Sequence, residues 1–235
     1  MNKKSENTQF QNATASTLKA ISGDLDSERE IKFSGTSSYL SSKEIRLPQI
    51  LKELDTTQLS KLRGESDKIA LKIKYHDPIL HNKHLPSSDL SSKIFQFAED
   101  ARIEAVGSKN LVGIKNNLQN LVEEKFKETI LPIPGGDDKE ALVNALHLVI
   151  REKITGCDSP ANTSVSLEKW RPWINSKIGN ILNQLAENTQ DQEKKKKKTR
   201  ELLTALQADI GETDQNKSGE NEDDTDQSDP DENEE

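Results

Sequence analysis

The segment DLSSKIFQFAEDARIEAVG (residues 89–107) contains the clearest helical pattern in this chain and decides its fold. Apolar side chains recur every three or four positions, at Leu90, Ile94, Phe97, Ala101 and Ala105. This spacing places them on one face of an α-helix, and such a face has to be buried against other elements. Gly107 predicts the end of the helix.

Charged residues fill the rest of this helix, in the run AEDARIE (98–104). Asp100 and Glu104 lie one turn apart, and Glu99 precedes Arg102 by three positions. Such a run is typical of the solvated face of an amphipathic helix, and we favour that interpretation. The alternative is a ridge of acid/base or metal-facing side chains.

Similar apolar stripes before and after this helix in the sequence predict a multi-helix domain. The stripes cover residues 59–73, 111–126, 142–150, 170–185 and 202–210. The helix of the 142–150 stripe is expected to begin at Asp137, with Glu140 completing a capping box, and to end at Gly156.

Strand patterns are scarce and are confined to the N-terminal part. EIKFSG (30–35) alternates apolar and polar residues and predicts one short strand, preceded by a weak helix with Phe10, Leu18 and Ile21. Residues 34–49 are rich in serine and contain Pro48, which predicts a loop or mobile linker.

These patterns predict a mainly α protein with at most one short N-terminal strand and a disordered acidic tail. We expect an N-terminal helix, strand and linker over residues 1–44, a helical domain over 45–210, and the tail over 211–235.

The net charge of −8 is unevenly distributed over the 235 residues. Residues 211–235 contain twelve acidic residues and one lysine, a net charge of −11, so the first 210 residues carry +3. A short acidic segment of this composition is typical of disorder, whereas the nearly neutral remainder can fold. The net charge of the whole chain therefore says little about the partners of the folded part.

The bulk composition excludes a membrane span and an internal disulfide. No apolar run reaches the ~18 residues that cross a bilayer. The single cysteine, Cys157, has no partner for a disulfide. Both observations favour a cytoplasmic protein in a reducing compartment.

Motifs of catalysis are absent from the sequence. It contains no G-x-x-x-x-G-K-[ST] phosphate loop, no G-x-S-x-G elbow, no H-E-x-x-H zinc helix and no D-x-S-x-S metal string. We therefore assign no catalytic and no cofactor-binding residue to this chain.

Three histidines in YHDPILHNKH (75–84) form a possible metal site. His76, His81 and His84 could bind a divalent metal ion, with Asp77 adding an oxygen ligand. Pro78 predicts a turn in which the three rings need not converge, so a structural role near a helix end is the other interpretation.

Two further segments have both a structural and a functional interpretation. Trp170 and Trp173 flank Pro172, which can occupy the first turn of a new helix, and the pair either pins two helices together or anchors a partner. The lysine run Lys194–Lys198 predicts an exposed helix or hinge that could pair with the acidic tail; contact with nucleic-acid phosphates is the alternative.

Four blocks of the sequence resemble the N-terminal region of the CobT subunit of the aerobic, ATP-dependent cobaltochelatase. They are RGESDKIALKIKYHDPILH (63–81), FAEDARIEAVGSKNLVGIKNNLQNLVEEKF (97–126), EALVNALHLVIREKITG (140–156) and EKWRPWI (168–174). The resemblance extends over about residues 10–210.

The resemblance implies a non-catalytic subunit of a larger enzyme, a nitrogen–metal ligase that inserts Co²⁺ into hydrogenobyrinic acid a,c-diamide during cobalamin synthesis. The expected partners are an AAA+ ATPase subunit and a large tetrapyrrole-binding subunit, in an oligomeric complex that uses ATP, Mg²⁺ and Co²⁺. Family members continue into a von Willebrand A domain, which we expect this chain to lack, and we expect no chelation by this chain alone.

The family motifs supply the residues expected to contact a partner or to pack in a family-specific way. They are His76, Asp77, His81, Arg102, Glu104, Trp170 and Trp173. Two alternatives remain open: a Co²⁺-handling protein that uses His76, His81 and His84, and a nucleic-acid-binding regulatory protein.

Overall fold

The structure, a computed structural model, describes residues 3–24, 29–49, 56–109, 111–134 and 138–210. Within these ranges the elements follow one another as α1 (Lys3–Ser22), β1 (Glu30–Phe33), β2 (Tyr39–Leu40), β3 (Glu44–Leu47), α2 (Thr56–Tyr75), α3 (Pro78–His84), α4 (Asp89–Ser108), α5 (Val112–Phe126), α6 (Lys139–Thr155), α7 (Ala161–Glu187) and α8 (Gln192–Ile210). The predicted mainly α class is confirmed. The predicted tail, residues 211–235, lies outside the described residues.

A small sheet accompanies the helices and is larger than the single strand predicted. β1 coincides with the predicted strand and pairs in parallel with β3, while β2 pairs with β3 from the other side in the antiparallel direction. The segment predicted as a loop therefore contains β2 and β3. Ile45 and Leu47 of β3 are buried, because they pack with α1 and α2 in a small apolar core.

The main apolar core lies among α4, α6, α7 and α8. α4 packs on α6, α6 on α7, and α8 lies against both α7 and α4. Fully buried residues of this core include Ile94, Leu146, Ile174 and Leu206, one from each helix. The four predicted stripes that contain these residues thus face one another, as amphipathic helices require.

Helix ends follow the expected capping chemistry with one correction. Asp138 is the cap of α6, and its Oδ1 accepts a hydrogen bond from Ala141 N at 2.9 Å. The predicted cap, Asp137, lies outside the described residues. Gly156 ends α6 in the left-handed conformation with φ of 67°, as predicted, because a residue without Cβ adopts it without strain.

Gly107 has a different role from the helix stop that we predicted. It lies inside α4, which continues to Ser108, and it is buried. A Cβ at this position would collide with the Leu71 side chain of α2. The glycine therefore permits the close approach of α2 to α4.

Two prolines also have roles that differ from the prediction. Pro78 begins a short helix, α3, and does not form an open turn, because Asp77 caps it with hydrogen bonds from Ile79 N and Leu80 N at 2.8 and 3.1 Å. Pro172 lies within α7 and does not start a helix. The apolar stripe of α7 continues through it, and burial of that stripe keeps the helix in one piece.

Candidate functional site: a buried charged cluster beneath a cleft

Six ionisable side chains meet inside the protein where α2, α3, α4 and α8 converge. We call them the Glu99 cluster: His76, His81, Glu99, Arg102, Lys195 and Lys196. None of the six side chains is more than 8% exposed. Burying so many charges costs free energy unless each is paired, so the pairing pattern shows which charges are satisfied.

The carboxylate of Glu99 is the centre of the cluster. Its Oε1 accepts hydrogen bonds from His76 Nδ1 at 2.8 Å and from Arg102 Nη2 at 2.9 Å, and its Oε2 accepts from Arg102 Nε at 3.0 Å. Lys196 Nζ lies 3.6 Å from the same Oε2. Arg102 Nη2 also donates to the carbonyl oxygen of Tyr75 at the end of α2, at 2.5 Å.

These donors keep Glu99 ionised. Burial alone would raise the pKa of the Glu99 carboxyl, but the hydrogen bonds from His76 and Arg102, together with the charges of Arg102 and Lys196, hold that pKa well below its usual range. Glu99 therefore stays a carboxylate across the physiological pH range and fixes the orientation of the groups around it.

Lys196 connects this carboxylate with a second histidine. Its Nζ lies 2.7 Å from His81 Nδ1 and 5.1 Å from the centre of the Phe95 ring. Burial and the Lys196 charge lower the pKa of His81 to about 4, so this imidazole is neutral near pH 7. Burial lowers the pKa of Lys196 to about 8, partly offset by the Glu99 charge.

The side-chain amine of Lys195 has no hydrogen-bond partner among the described residues. Its Nζ is fully buried, and the residue is 1% exposed. Burial and the nearby Arg102 charge lower the pKa of Lys195 to about 7. With one carboxylate facing Arg102 and two lysines, the cluster carries more positive than negative charge.

A second buried ion pair lies on the next turn of α4. Glu104 accepts two hydrogen bonds from Arg151 of α6, from Nε at 3.0 Å and from Nη2 at 2.6 Å. Arg151 is 3% exposed and Glu104 is 9% exposed. This bidentate geometry leaves one charge of each sign fully paired.

A cleft of about 910 Å³ opens directly over part of the Glu99 cluster. Its walls come from β2 and the residues after it, from the end of α2, from α3 and from the start of α4. His76 and His81 are among the lining residues. Their rings lie 4.9 Å apart, edge to face, so the cluster supplies part of the inner surface of the cleft.

Two of the three histidines of the predicted metal site line the cleft, and the third does not. His84 lies outside the lining, and its Nε2 is buried without a hydrogen-bond partner in the described part of the chain. Within the described ranges, no three His, Cys, Asp or Glu side chains are placed to hold a metal ion. A metal ion at His81 Nδ1 would have to displace Lys196 Nζ.

Asp77 joins α3 to α8 in addition to capping α3. Its backbone N donates to Gln192 Oε1 and its carbonyl oxygen accepts from Gln192 Nε2, both at 3.1 Å. These two bonds hold the start of α8 beside α3. They thereby help to place Lys195 and Lys196 within the cluster.

The two tryptophans lie away from the cluster, on α7. Trp170 is 7% exposed, packs in the main core, and donates from Nε1 to the carbonyl oxygen of Pro132 at 2.7 Å. Trp173 is half-buried and lies edge to face with Trp170, with ring centres 6.2 Å apart. Of the two interpretations of this motif, packing within the protein therefore applies to Trp170.

Two sequence interpretations of charged runs were wrong. We predicted a solvated face for AEDARIE, but Glu99, Arg102 and Glu104 are buried. We also predicted an exposed lysine run, but Lys195 and Lys196 are buried while Lys194, Lys197 and Lys198 remain at the surface in ion pairs. Both errors arose because we counted the charged residues in each run without asking which face of the helix each residue occupies.

The sequence contained a signal for the buried lysine. Lys195, Thr199, Leu202 and Leu206 recur at i, i+4, i+7 and i+11, and all four are buried. This is the apolar stripe of α8 extended backwards into the lysine run. Lys196 lies on the same stripe, since Leu203 and Ile210 follow it at i+7 and i+14 and are buried as well.

The fold and the site define a helical domain that has a charged cluster in its interior and a cleft over that cluster. None of the described helices is both long and apolar enough to cross a bilayer.

This chain belongs to the CobT family: the family model described as cobalamin biosynthesis protein CobT matches residues 4–235. The match confirms the resemblance found in the sequence and connects the protein with cobalamin biosynthesis. No solved structure matches the chain.

Proposed function

We propose that this protein is a non-catalytic subunit of the aerobic, ATP-dependent cobaltochelatase that inserts Co²⁺ into hydrogenobyrinic acid a,c-diamide. The family match over residues 4–235 carries this proposal. In it the protein acts in the cytoplasm through contacts with an AAA+ ATPase subunit and a large tetrapyrrole-binding subunit, which use ATP and Mg²⁺ and take Co²⁺ as substrate.

The placement of the motif residues supports an assembly role more than a chemical one. Arg102, Glu104 and Trp170 are buried, with partners inside the chain, so they stabilise the shape of the domain. Asp77 is exposed, and Ile79 beside it on α3 is 82% exposed. Of the motif region, α3 therefore presents the most surface to a partner.

Co-purification with the AAA+ subunit tests the proposal. We expect a complex at micromolar protein concentration, low salt and saturating ATP. Ile79→Asp should weaken this complex, whereas Val165→Asp, at a similarly exposed position on α7, is the matched control and should not. Absence of any complex with the unmodified chain would contradict the assignment.

The Co²⁺-handling alternative stays a prediction and has its own test. Calorimetric titration with Co²⁺ should show binding that is lost when His76, His81 and His84 are all replaced by alanine. Unchanged binding in that variant would remove the alternative. For nucleic-acid binding, burial of Lys195 and Lys196 leaves only three of the five lysines at the surface.

A further inference from the structure

We propose that the cleft over the Glu99 cluster binds an organic anion: a small molecule with an apolar body and carboxylate or phosphate groups. The inference rests on the charges and walls of the cleft and is independent of the chelatase assignment. The volume of about 910 Å³ lies within the usual range of small-molecule sites.

Two ammonium groups, one from α2 and one from α4, supply the first argument. Lys72 of α2 and Lys93 of α4 both line the cleft, and no ion pair joins either of them to a carboxylate in the described part of the chain. Asp100, the carboxylate on which the Lys72 charge acts, is itself paired with Lys68 at 2.8 Å. The third cation in the lining, Arg29, is paired with Asp24. Asp89, on the rim one turn before Lys93, is the sole carboxylate among the described lining residues. The cleft therefore favours negative charge.

The inner surface of the cleft supplies the second argument. Lys196 is an ammonium donor to His81 Nδ1, so the ring proton of neutral His81 is carried on Nε2, which remains available as a donor. His76 Nδ1 donates to Glu99, which fixes this ring as well. Behind the rings, the positive surplus of the Glu99 cluster adds to the attraction for an anion.

The apolar part of the walls indicates that the anion has an organic body. Leu40 of β2, Ile73 of α2 and Leu85 after α3 all line the cleft, and Leu85 is 43% exposed. A bare inorganic ion would leave these side chains in water. A ligand with an apolar ring or chain would bury them, and its affinity would rise in proportion to the area removed from water.

Unoccupied polar side chains complete the site. Ser42 and Asn82 line the cleft, and no side-chain hydrogen bond within the described ranges engages either of them. They lie on two different walls, one after β2 and one on α3. Each can donate to a carboxylate or phosphate oxygen, which gives orientation in addition to charge.

Calorimetric titration of the full chain with three probes tests the proposal. The probes are 1-naphthyl phosphate, 1-naphthoate and inorganic phosphate, at about 50 mM salt to limit screening. We expect at least one naphthyl probe to bind with Kd below about 1 mM and at least about tenfold tighter than inorganic phosphate. Comparison of the two naphthyl probes identifies the preferred acid group.

Matched variants connect the binding to the cleft. Lys72→Gln and Lys93→Gln should each weaken binding about tenfold, the usual effect of losing one charged hydrogen bond. Lys74→Gln, on the same helix as Lys72 but outside the cleft, should leave the affinity unchanged. Asp89→Asn should strengthen binding about threefold, because it removes the opposing charge.

Three results would overturn the proposal. They are absence of binding by both naphthyl probes up to about 5 mM, equal affinity for inorganic phosphate, and an equal loss of affinity in the Lys74→Gln control. The first two would show that the cleft does not select an organic anion. The third would show that the probes respond only to overall charge.

Discussion

α4 contributes to two buried ionic sites that are only one turn apart and differ in charge balance. The Glu104–Arg151 pair has one charge of each sign and a bidentate geometry. In the Glu99 cluster one carboxylate faces Arg102, Lys196 and His76, and the Nζ of Lys195 lacks a hydrogen-bond partner among the described residues.

The Glu104–Arg151 pair is balanced in charge and stabilises the fold, whereas the Glu99 cluster has a surplus of positive charge. A balanced pair can be replaced by apolar residues at little cost, because no charge is then left alone. The Glu99 cluster cannot be simplified in this way, since removing Glu99 together with Arg102 leaves the buried Lys196 without a carboxylate beside it. Its contact with the cleft gives the surplus positive charge a possible use.

The largest effect should follow from removing the centre of the cluster. Glu99→Gln leaves Arg102 and Lys196 without a counter-charge, and we expect a loss of about 4 kcal/mol in the free energy of unfolding. Glu104→Gln leaves only Arg151 unpaired and should cost about 3 kcal/mol. Urea denaturation measures both. A smaller loss for Glu99→Gln than for Glu104→Gln would contradict the comparison.

Double replacements distinguish the two sites further. Arg151→Met alone should cost about 3 kcal/mol, and adding Glu104→Leu should recover most of this loss, because the remaining carboxylate is removed. Glu99→Leu with Arg102→Met should recover little, since Lys196 then has no carboxylate beside it. The same denaturation experiment, arranged as two double-mutant cycles, gives the coupling energies. Equal recovery at both sites would show that the cluster behaves as a simple pair.

Replacing the unpartnered lysine should stabilise the protein. Lys195→Met removes a buried amine while keeping most of the chain volume, and we expect a gain of about 1–2 kcal/mol near pH 7. Lys197→Met is the control, because Lys197 is exposed and forms a surface ion pair with Glu193, so its change should stay within about 0.5 kcal/mol.

The pH dependence of the Lys195→Met effect has a definite sign. The pKa of Lys195 is about 7 in the folded protein, below its value in the unfolded chain. The unfolded chain therefore binds more protons between about pH 7 and 10, and the stability of the unmodified protein rises with pH over that window. Lys195→Met should reduce this slope. An unchanged slope would mean that Lys195 is not the group responsible.

Each of the two ionic sites also has a neighbouring histidine that stays neutral near pH 7. Replacing these histidines should have the smallest predicted effect on stability. Burial and the charge of Lys196 lower the pKa of His81 to about 4, and burial and the charge of Lys125 lower that of His147, near Arg151, to about 3. Both values lie below that of the unfolded chain, so stability should fall as pH drops from about 6.5 to 4.

His81→Asn and His147→Asn test this acid sensitivity one histidine at a time. Each should reduce the slope of stability against pH by up to ~1.4 kcal/mol per pH unit. Thermal melting at several pH values measures the slope, and NMR titration of the two imidazoles follows the protonation directly. Titration of His81 near its ordinary pKa would show that Lys196 does not face it in solution.

The helices could be predicted from the sequence because their signals are local. The stripe through Ile94 and Ala101 in α4 and the stop at Gly156 each depend on residues within a few turns. β2 was missed because two residues are too few to show a period. β3 alternates as β1 does, but it lies in a serine-rich segment with Pro48 that we interpreted as a loop, and its pairing depends on residues elsewhere in the chain.

The sequence identified several residues of the site but did not predict how they are arranged in space. The motif blocks identified His76, His81, Arg102 and Glu104, all of which occupy or adjoin the charged interior. Their burial was not predicted, because a charged residue on a helix is normally solvated. The docking of α8, which supplies Lys195 and Lys196, and of α6, which supplies Arg151, changes that expectation.

The contact between His81 and Lys196 spans 115 positions of the chain, which has a consequence for biosynthesis. At the usual rates of translation, about 5–20 s separate the emergence of Glu99 from that of Lys196. During this interval a nascent chain has the carboxylate and the Phe95 ring without the helix that covers them. We expect the cleft to be among the last parts to mature, and an interrupted polypeptide that ends before α8 to require chaperone protection.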